Sequence, residues 1–254
     1  MYHAHCDDGF GAAWAAWRRL GDAARYVPVS HDDPVPPIDD GSEVFMVDVT
    51  LPRKALVELA ARTSLTVLDH HKTAQSELEG LPFARFDMDR SGAVLSWDHW
   101  HAGQEAPPLL QYIQDKDLWR FRLPNSKEVN AAIGSYPHDF LMWSRKDVSD
   151  LARQGAHILR ANAQQIAQMV ERVAFTEIGG HRVPVVNASV LSSEVLDELL
   201  RRHPDAPFAA CYFDRGDDKR QWGLAGRGTI DVGEVARQYG GGGHRNRSGF
   251  AETV

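Results

Sequence analysis

Two short apolar runs constrain this chain more than anything else in it. EVFMVDV (residues 43–49) and LTVL (65–68) are nearly continuous in apolar, mostly β-branched or long side chains, and the helical pattern RKALVELAAR lies between them. Runs of that length without a polar alternation fit strands buried on both faces. Earlier, FGAAWAAWRRL (10–20) places Phe10, Ala13, Trp14, Trp17 and Leu20 on one helical face, and RYVPVS reads as a short strand. SGAVLSWDHW (91–100) reads as a helix entered through a Ser-Gly turn. Strands alternating with helices predict an α/β fold, doubly wound, with a mainly parallel sheet.

The pattern changes near residue 147. Val148, Leu151, Gly155, Ile158, Leu159, Asn162, Ile166, Met169, Val170 and Val173 recur at helical spacing, which predicts one long helix over 147–174. Beyond it, FTEIGGHRVPVVNA reads as a hairpin turning at Gly179-Gly180, SSEVLDELLRRH as a helix with a serine cap, and FAACYF and RQWGLAG as strands. IDVGEVARQYG reads as a helix running into a glycine-rich end. The expected organisation is a first domain over 1–146, a linker helix over 147–174 and a smaller mixed-sheet α/β domain over 175–254.

Composition narrows the function classes. The chain has 254 residues, 43% hydrophobic and 25% charged, with a formal net charge of −7. That balance argues against a large surface for duplex nucleic acid while leaving room for a local basic pocket. Cys6 and Cys211 are the only cysteines, so neither a disulfide framework nor a paired-cysteine zinc site is expected. No leader pattern and no membrane span are read, and a cytoplasmic location follows as the expectation.

The ends of the strands carry the chemistry. Asp48 follows FMV, Asp69-His70-His71 follows LTVL, HAHCDDG (3–9) precedes the first helix, and Asp115 and Asp117 lie in QDKDLW. In an open parallel sheet, ligands gather beyond the carboxyl ends of the strands. Each cluster alone has an ordinary explanation, as a helix cap, a turn or a surface histidine pair. Together they put carboxylates and imidazoles in one place, and carboxylates that converge repel each other without cations between them. Such donors suit Mn²⁺, or Mg²⁺ where oxygen dominates. Asp48, on a central strand, could bridge two ions. His99, His101, His157 and His203 match none of these clusters and are taken as structural or exposed.

YGGGGHRNRSGF (239–250) lacks the Gly-Lys-Ser/Thr of a Walker loop. Consecutive glycines can turn backbone N–H groups towards an anion, and His244, Arg245 and Arg247 add donors and charge, so phosphate contact is expected there.

In that order the motifs resemble the DHH phosphoesterase superfamily, in the branch with a C-terminal DHH-associated domain. VLDHHKTA matches the signature, HAHCDDGFGAAWAAW the first motif, VFMVDV the second, YIQDKDLWRF the fourth, and GGGGHRNRSGF the glycine-histidine motif of the associated domain. The resemblance covers essentially the whole chain. It implies two Mn²⁺ ions, with Mg²⁺ or Co²⁺ as substitutes. Metal ligands would come from His3, Asp7, Asp8, Asp48, His70 and Asp115, with Asp117 the alternative in the fourth motif. His71, Asp48 and Asp69 would be catalytic. Gly242, Gly243, His244, Arg245, Arg247, Arg227 and Ser91 would hold substrate.

The first motif departs from the family pattern. Many relatives have two acids with one residue between them; here Asp7 and Asp8 are adjacent and Cys6 stands two before Asp8. His3, His5 or Cys6 could therefore contribute to a metal site. Almost no chain precedes His3, so a very short first strand or an upstream natural start is expected. Arg247 stands where relatives often have a small residue.

The resemblance implies hydrolysis of a phosphodiester in a short nucleotide by metal-activated water. Tyr212, Phe213 and Trp222 could stack bases, although a core role is the commoner fate of such residues. The alternatives are an exopolyphosphatase or pyrophosphate-cleaving enzyme, and a non-catalytic nucleotide sensor with a degenerate metal site. No membrane or duplex nucleic-acid partner is expected, and a homodimer is allowed.

Overall fold

The computed structural model describes residues 1–31 and 33–254. The chain divides into two compact units, Met1–Ile158 and Leu159–Val254.

In the first unit the elements run β1 (Tyr2–His3), α1 (Asp7–Leu20), β2 (Pro28–Val29), β3 (Glu43–Val47), α2 (Arg53–Ala60), β4 (Ser64–Asp69), α3 (Lys72–Glu77), β5 (Ala84–Phe86), α4 (Gly92–Trp100), α5 (Pro108–Asp117), α6 (Ser126–Ile133) and α7 (Phe140–Trp143). The strands form one sheet in the order β2-β1-β3-β4-β5, and all its pairings are parallel. The sheet is doubly wound. Met46, Leu65 and Val67 face a core built with Leu56 and Leu59 of α2 and Leu78 just beyond α3. Val47 and Leu68 point the other way, onto Ala12 of α1. A larger cluster joins α1, α4, α5 and α6 through Phe10, Trp14, Trp97, Leu110, Ile113 and Ile133. The apolar runs of β3 and β4 are continuous because both of their faces are covered.

The predicted apolar face of α1 is buried at Phe10, Ala13 and Trp14, but Ala12, Ala15 and Ala16 are buried too. Small side chains let the helix lie against the sheet and α4 at once. Ser91 caps α4, its Oγ accepting the Val94 N–H, as the Ser-Gly entry predicts.

Helix α8 (Val148–Val170) is long and amphipathic, and the division between the units falls within it. In its first half Gly155 packs against α6 so closely that a Cβ would stand 1.7 Å from the carbonyl oxygen of Glu128.

The second unit continues with β6 (Ala174–Ile178), β7 (His181–Asn187), α9 (Ser192–Arg202), β8 (Phe208–Asp214), β9 (Lys219–Gly226), α10 (Val232–Arg237), β10 (Gly242–His244) and β11 (Arg247–Thr253). Its sheet has the order β10-β11-β9-β8-β7-β6 and is mixed, since β7 and β8 pair in parallel and the other neighbours antiparallel. Helix α9 covers one face through Val195, Leu196 and Leu199, and α10 the other through Val232 and Val235. The β6–β7 hairpin turns at Gly179-Gly180, both with positive φ, as read from sequence.

One local reading changes. The predicted serine cap of α9 is absent: Leu191, in the left-handed region at φ 53°, occupies the cap without a side-chain bond. The serines fall one residue too late to cap. In the glycine-rich end, Gly242–His244 form the edge strand β10, which pairs with β11 with His244 opposite Arg247.

Replacing Gly155 with alanine must push α8 and α6 apart. Its expected cost is about 1–3 kcal/mol, the range for overpacking a tight contact, read as a lower midpoint in urea unfolding of the full chain.

Candidate metal centre

Strands β1, β3 and β4 run parallel and end at one edge of the sheet, which brings His3, Asp48 and the Asp69–His71 turn to that edge. The winding reverses between β1 and β3. The crevice beyond such a switch point is where open α/β sheets receive ligands.

Asp48, the first residue after β3, is 1% exposed and sits in the left-handed region at φ 60°. Its N–H donates to the Leu68 carbonyl at 3.0 Å, which holds the turn against β4. Aspartate tolerates this conformation better than bulkier residues. Asp48 Oδ1 lies 3.1 Å from His70 Nε2, and Oδ2 lies 3.5 Å from His3 Nδ1. The second contact is electrostatic rather than a hydrogen bond: both atoms are buried and neither has a hydrogen-bond partner. His70 Nε2 also lies 3.6 Å from Asp8 Oδ2 and 3.4 Å from Asp117 Oδ2. Three carboxylates thus meet at one imidazole nitrogen.

Asp8 is fixed by α4. Its carboxylate accepts the N–H groups of Gly92 at 2.6 Å and Ala93 at 3.1 Å, at the positive end of that helix. Gly92 is required there, because a Cβ would stand 2.4 Å from the Asp48 Cβ. Ser91, expected to contact substrate, is fully buried, and its hydroxyl accepts the Val94 N–H at the start of α4.

Asp69 is fully buried. Its Oδ1 accepts the N–H of His70 at 2.7 Å and lies 2.7 Å from His71 Nδ1, while its Oδ2 has no partner. This carboxylate orients His71 and holds its pKa up at about 9, against the opposing effect of burial. Burial opposes ionisation of Asp48 too, but the imidazoles of His3 and His70 outweigh it and draw the carboxyl down to about 2. Asp8 moves the other way, well above the usual carboxylate range, through burial and then the charges of Asp48 and Asp117. Burial likewise raises Asp117. So much negative charge in one buried place calls for positive charge within it.

Of the two acids in the fourth motif, Asp117 reaches His70 and Asp115 does not. Asp115 is buried, and its carboxylate accepts the N–H groups of Arg122 at 2.9 Å and Leu123 at 3.1 Å. It holds the chain after α5, while Asp117 joins the cluster around His70. Asp7 also lies outside the cluster: its carboxylate pairs with Lys116 at 3.3 Å and His138 at 3.3 Å.

Among the described residues, three groups have donor atoms close enough to share a cation: Asp48, Asp69, His70 and His71; His3, Cys6 and Asp48; and Asp8, His70 and Asp117. Cys6 caps the start of α1. Burial pushes its thiol up to about 12, with Asp48 and Asp8 adding to the effect and the backbone N–H of Gly9 opposing it. His31 was missed in the sequence. It follows β2, its Nδ1 lies 2.9 Å from the Thr50 carbonyl oxygen, and its ring centre lies 5.5 Å from that of His3 and 6.3 Å from that of His71. Its place just after a strand was the signal, since Asp48 and His70 share it.

The expected substrate residues of the second unit are more engaged than the motif suggests. Arg247 pairs with Asp197, and Arg245 donates to the Thr229 carbonyl at 3.0 Å. Gly242 and Gly243 lie in β10, while His244 and Arg227 are exposed. Tyr212 lies opposite Trp222 across β8 and β9, with ring centres 5.1 Å apart, and both pack against the core that contains Phe250. Core packing is therefore their observed role. A cavity of about 470 Å³ lies elsewhere in the first unit, lined by Tyr2, Ala16, Tyr26, Ile38, Phe45 and Trp100 among others.

The chain is similar to the pGpG-specific phosphodiesterase of Vibrio cholerae, with 12% identity, coverage of 98% of this chain and 91% of that one, and a TM-score of 0.59. The two proteins share a fold. Exonuclease RecJ bound to manganese matches at 15% identity over 97% of this chain and 83% of that one, with a TM-score of 0.49. In sequence, the chain is 28% identical to uncharacterized protein R106 of Acanthamoeba polyphaga mimivirus, over 99% of this chain. It spans 66% of that relative's length. No protein-family model matches the chain. Among the described residues, no helix is long and apolar enough to cross a membrane.

The two acids of the fourth motif should separate cleanly on substitution. Asp117→Asn is expected to weaken Mn²⁺ binding by more than about 10-fold without lowering thermal stability in the absence of metal. Asp115→Ala strands two backbone donors and should cost about 1–3 kcal/mol in chemical unfolding. Calorimetric Mn²⁺ titration and urea melts of both variants check the pair.

Proposed function

We propose that this chain is a divalent-metal-dependent phosphoesterase that hydrolyses phosphodiester bonds in short nucleotides. The observation that carries the reading is the convergence of Asp8, Asp48, Asp117, His3 and His70 at the switch point, with Asp48 Oδ2 and His3 Nδ1 buried and unpartnered. An orphaned carboxylate oxygen facing an orphaned imidazole nitrogen fits a cation between donors of both kinds. Mn²⁺ suits this mixture of oxygen and nitrogen. Divalent cations held there would acidify water at the centre and offset charge on the phosphoryl oxygens.

The protein's own groups do the rest. Asp48 reaches both sides of the centre, one oxygen towards His70 and the other towards His3. Asp69 holds His71 by Nδ1, leaving Nε2 to donate to a phosphoryl oxygen. His71 is half-exposed, as a residue that must touch substrate should be. Neither cysteine has the partners of a covalent nucleophile, so attack falls to water. The second unit is assigned as the DHH-associated domain, with His244 its exposed phosphate contact.

A nucleotide substrate is supported by the segment that leaves Asp117. Trp119 is 72% exposed at φ 54°, and Phe121 stands beside it at φ 47°, ring centres 5.0 Å apart. Bulky residues at positive φ are uncommon and strained. The Asp115 side chain and its carbonyl oxygen together tie down the N–H groups of residues 120–123, which holds that strain in place. An exposed indole two residues from a ligand offers a face for a base, which polyphosphate lacks. The fold shared with a protein named for its action on pGpG agrees with this substrate class.

A panel of dinucleotides, longer oligonucleotides, cyclic dinucleotides, polyphosphate and pyrophosphate with Mn²⁺ should show cleavage of the short nucleotides first. Hydrolysis of polyphosphate alone, or nucleotide binding without turnover at any Mn²⁺ concentration, would overturn the reading. Asp48→Ala should lower kcat by more than about 100-fold, beyond the loss typical of an outer-shell partner, and lower metal content with it. Trp119→Ala should raise KM for a dinucleotide about 5- to 100-fold, the loss of one base–aromatic stack. Its metal content should not change, and Trp119→Phe should restore most of the affinity.

A further inference from the structure

We propose that Cys6 is a metal ligand, so that the centre has two chemically unlike cation positions: a thiolate-containing one at His3, Cys6 and Asp48, and a nitrogen-oxygen one at Asp8, His70 and Asp117. The inference rests on the metal-dependent reading above and deepens it, because it says which ion each position selects.

The donors of the first position, His3 Nδ1, Cys6 Sγ and a carboxylate oxygen of Asp48, lie within 4.8 Å of one another. Two of them are buried without any hydrogen-bond partner: His3 Nδ1 and Asp48 Oδ2, 3.5 Å apart. Asp48 is 1% exposed, so water cannot satisfy its second oxygen from outside. In a polar cluster where nearly every other group is bonded, that pair marks the place of a missing partner. The sulfur belongs to the N-cap residue of α1, so the start of that helix fixes its place beside His3 and Asp48. The donors of the second position are two carboxylates and an imidazole, again within 4.8 Å. Asp48 Oδ1 faces this position through His70, so the one carboxylate serves both.

Donor chemistry then separates the ions. A thiolate with an imidazole and one carboxylate selects a thiophilic divalent ion such as Zn²⁺, Co²⁺ or Cd²⁺ over Mn²⁺ or Mg²⁺. Two carboxylates with an imidazole keep Mn²⁺ competitive. The centre should therefore load a thiophilic ion and Mn²⁺ together, one at each position.

The test is a Co²⁺ titration of the full, reduced chain, followed by near-ultraviolet absorption and by metal content after gel filtration. Two Co²⁺ should bind, the first bringing a thiolate-to-cobalt charge-transfer band. Cys6→Ser should abolish the band, keep one bound ion, and weaken Zn²⁺ binding by more than about 10-fold. Cys211→Ser, which removes the buried cysteine of β8, should leave band and stoichiometry intact. Cys6→Asp should restore two-ion loading without the band and with Mn²⁺ preferred at both positions. It also guards against a serine variant that fails to fold. Two bound ions without a band, or a band that survives in Cys6→Ser, would overturn the thiolate position and leave the metal-dependent reading standing. No bound divalent ion in the unmodified chain would overturn both.

Discussion

The buried carboxylate of Asp48 is the constraint around which the first unit is arranged. A charged group taken out of water costs several kcal/mol unless it is paired. The parallel sheet cannot move Asp48 outward, because its N–H is bonded to β4 and its own strand is central. Compensation must come to it. His3 arrives from β1 on one side and His70 from β4 on the other, which fixes the relative register of three strands at one edge. Gly92 opens α4 without a side chain so that Asp8 can enter from α1 and still bond that helix.

The carboxylates of the cluster differ in how the protein itself supports them. Asp8 sits on the N-terminal N–H groups of α4, where the helix dipole favours negative charge. Asp117 is the last residue of α5, where the dipole disfavours it, and no backbone donor offsets the difference among the bonds described. Burial raises the Asp117 carboxyl, and His70, 3.4 Å away, and Lys116 oppose that effect from within the chain. The strained Trp119–Phe121 segment follows directly from Asp117, so the same helix end that positions this acid also presents an aromatic face.

Much of this was legible residue by residue. The strands β3 and β4 were visible because burial on both faces removes the polar alternation that hides short strands. Their terminal acids and histidines stood out because such residues are costly next to a core. Helix α4 was visible with its cap, since Ser91 precedes an apolar run. The cap of α9 was misread because two serines before a helical pattern look alike whether they stand outside the first turn or inside it. The glycines near 242 carry no strand signal because a strand without side chains has no pattern to recognise. It becomes a strand only when β11 folds back onto it.

The sequence by itself determined the alternation of elements, the two-part organisation of apolar pattern, and the identity of the donors, because burial and metal affinity both act through residue type. Tertiary structure decided which donors meet. Asp115 and Asp117 are two residues apart on one helix, about 200° around its axis, so only one can face the sheet edge, and packing turned Asp117 there. His31 joined His3 and His71 through the placement of β2 beside β1, a long-range pairing that no local pattern encodes. Cys6 reached Asp48 for the same reason: a cap position is a local fact, while its distance from another strand's end is set only when the sheet closes on α1.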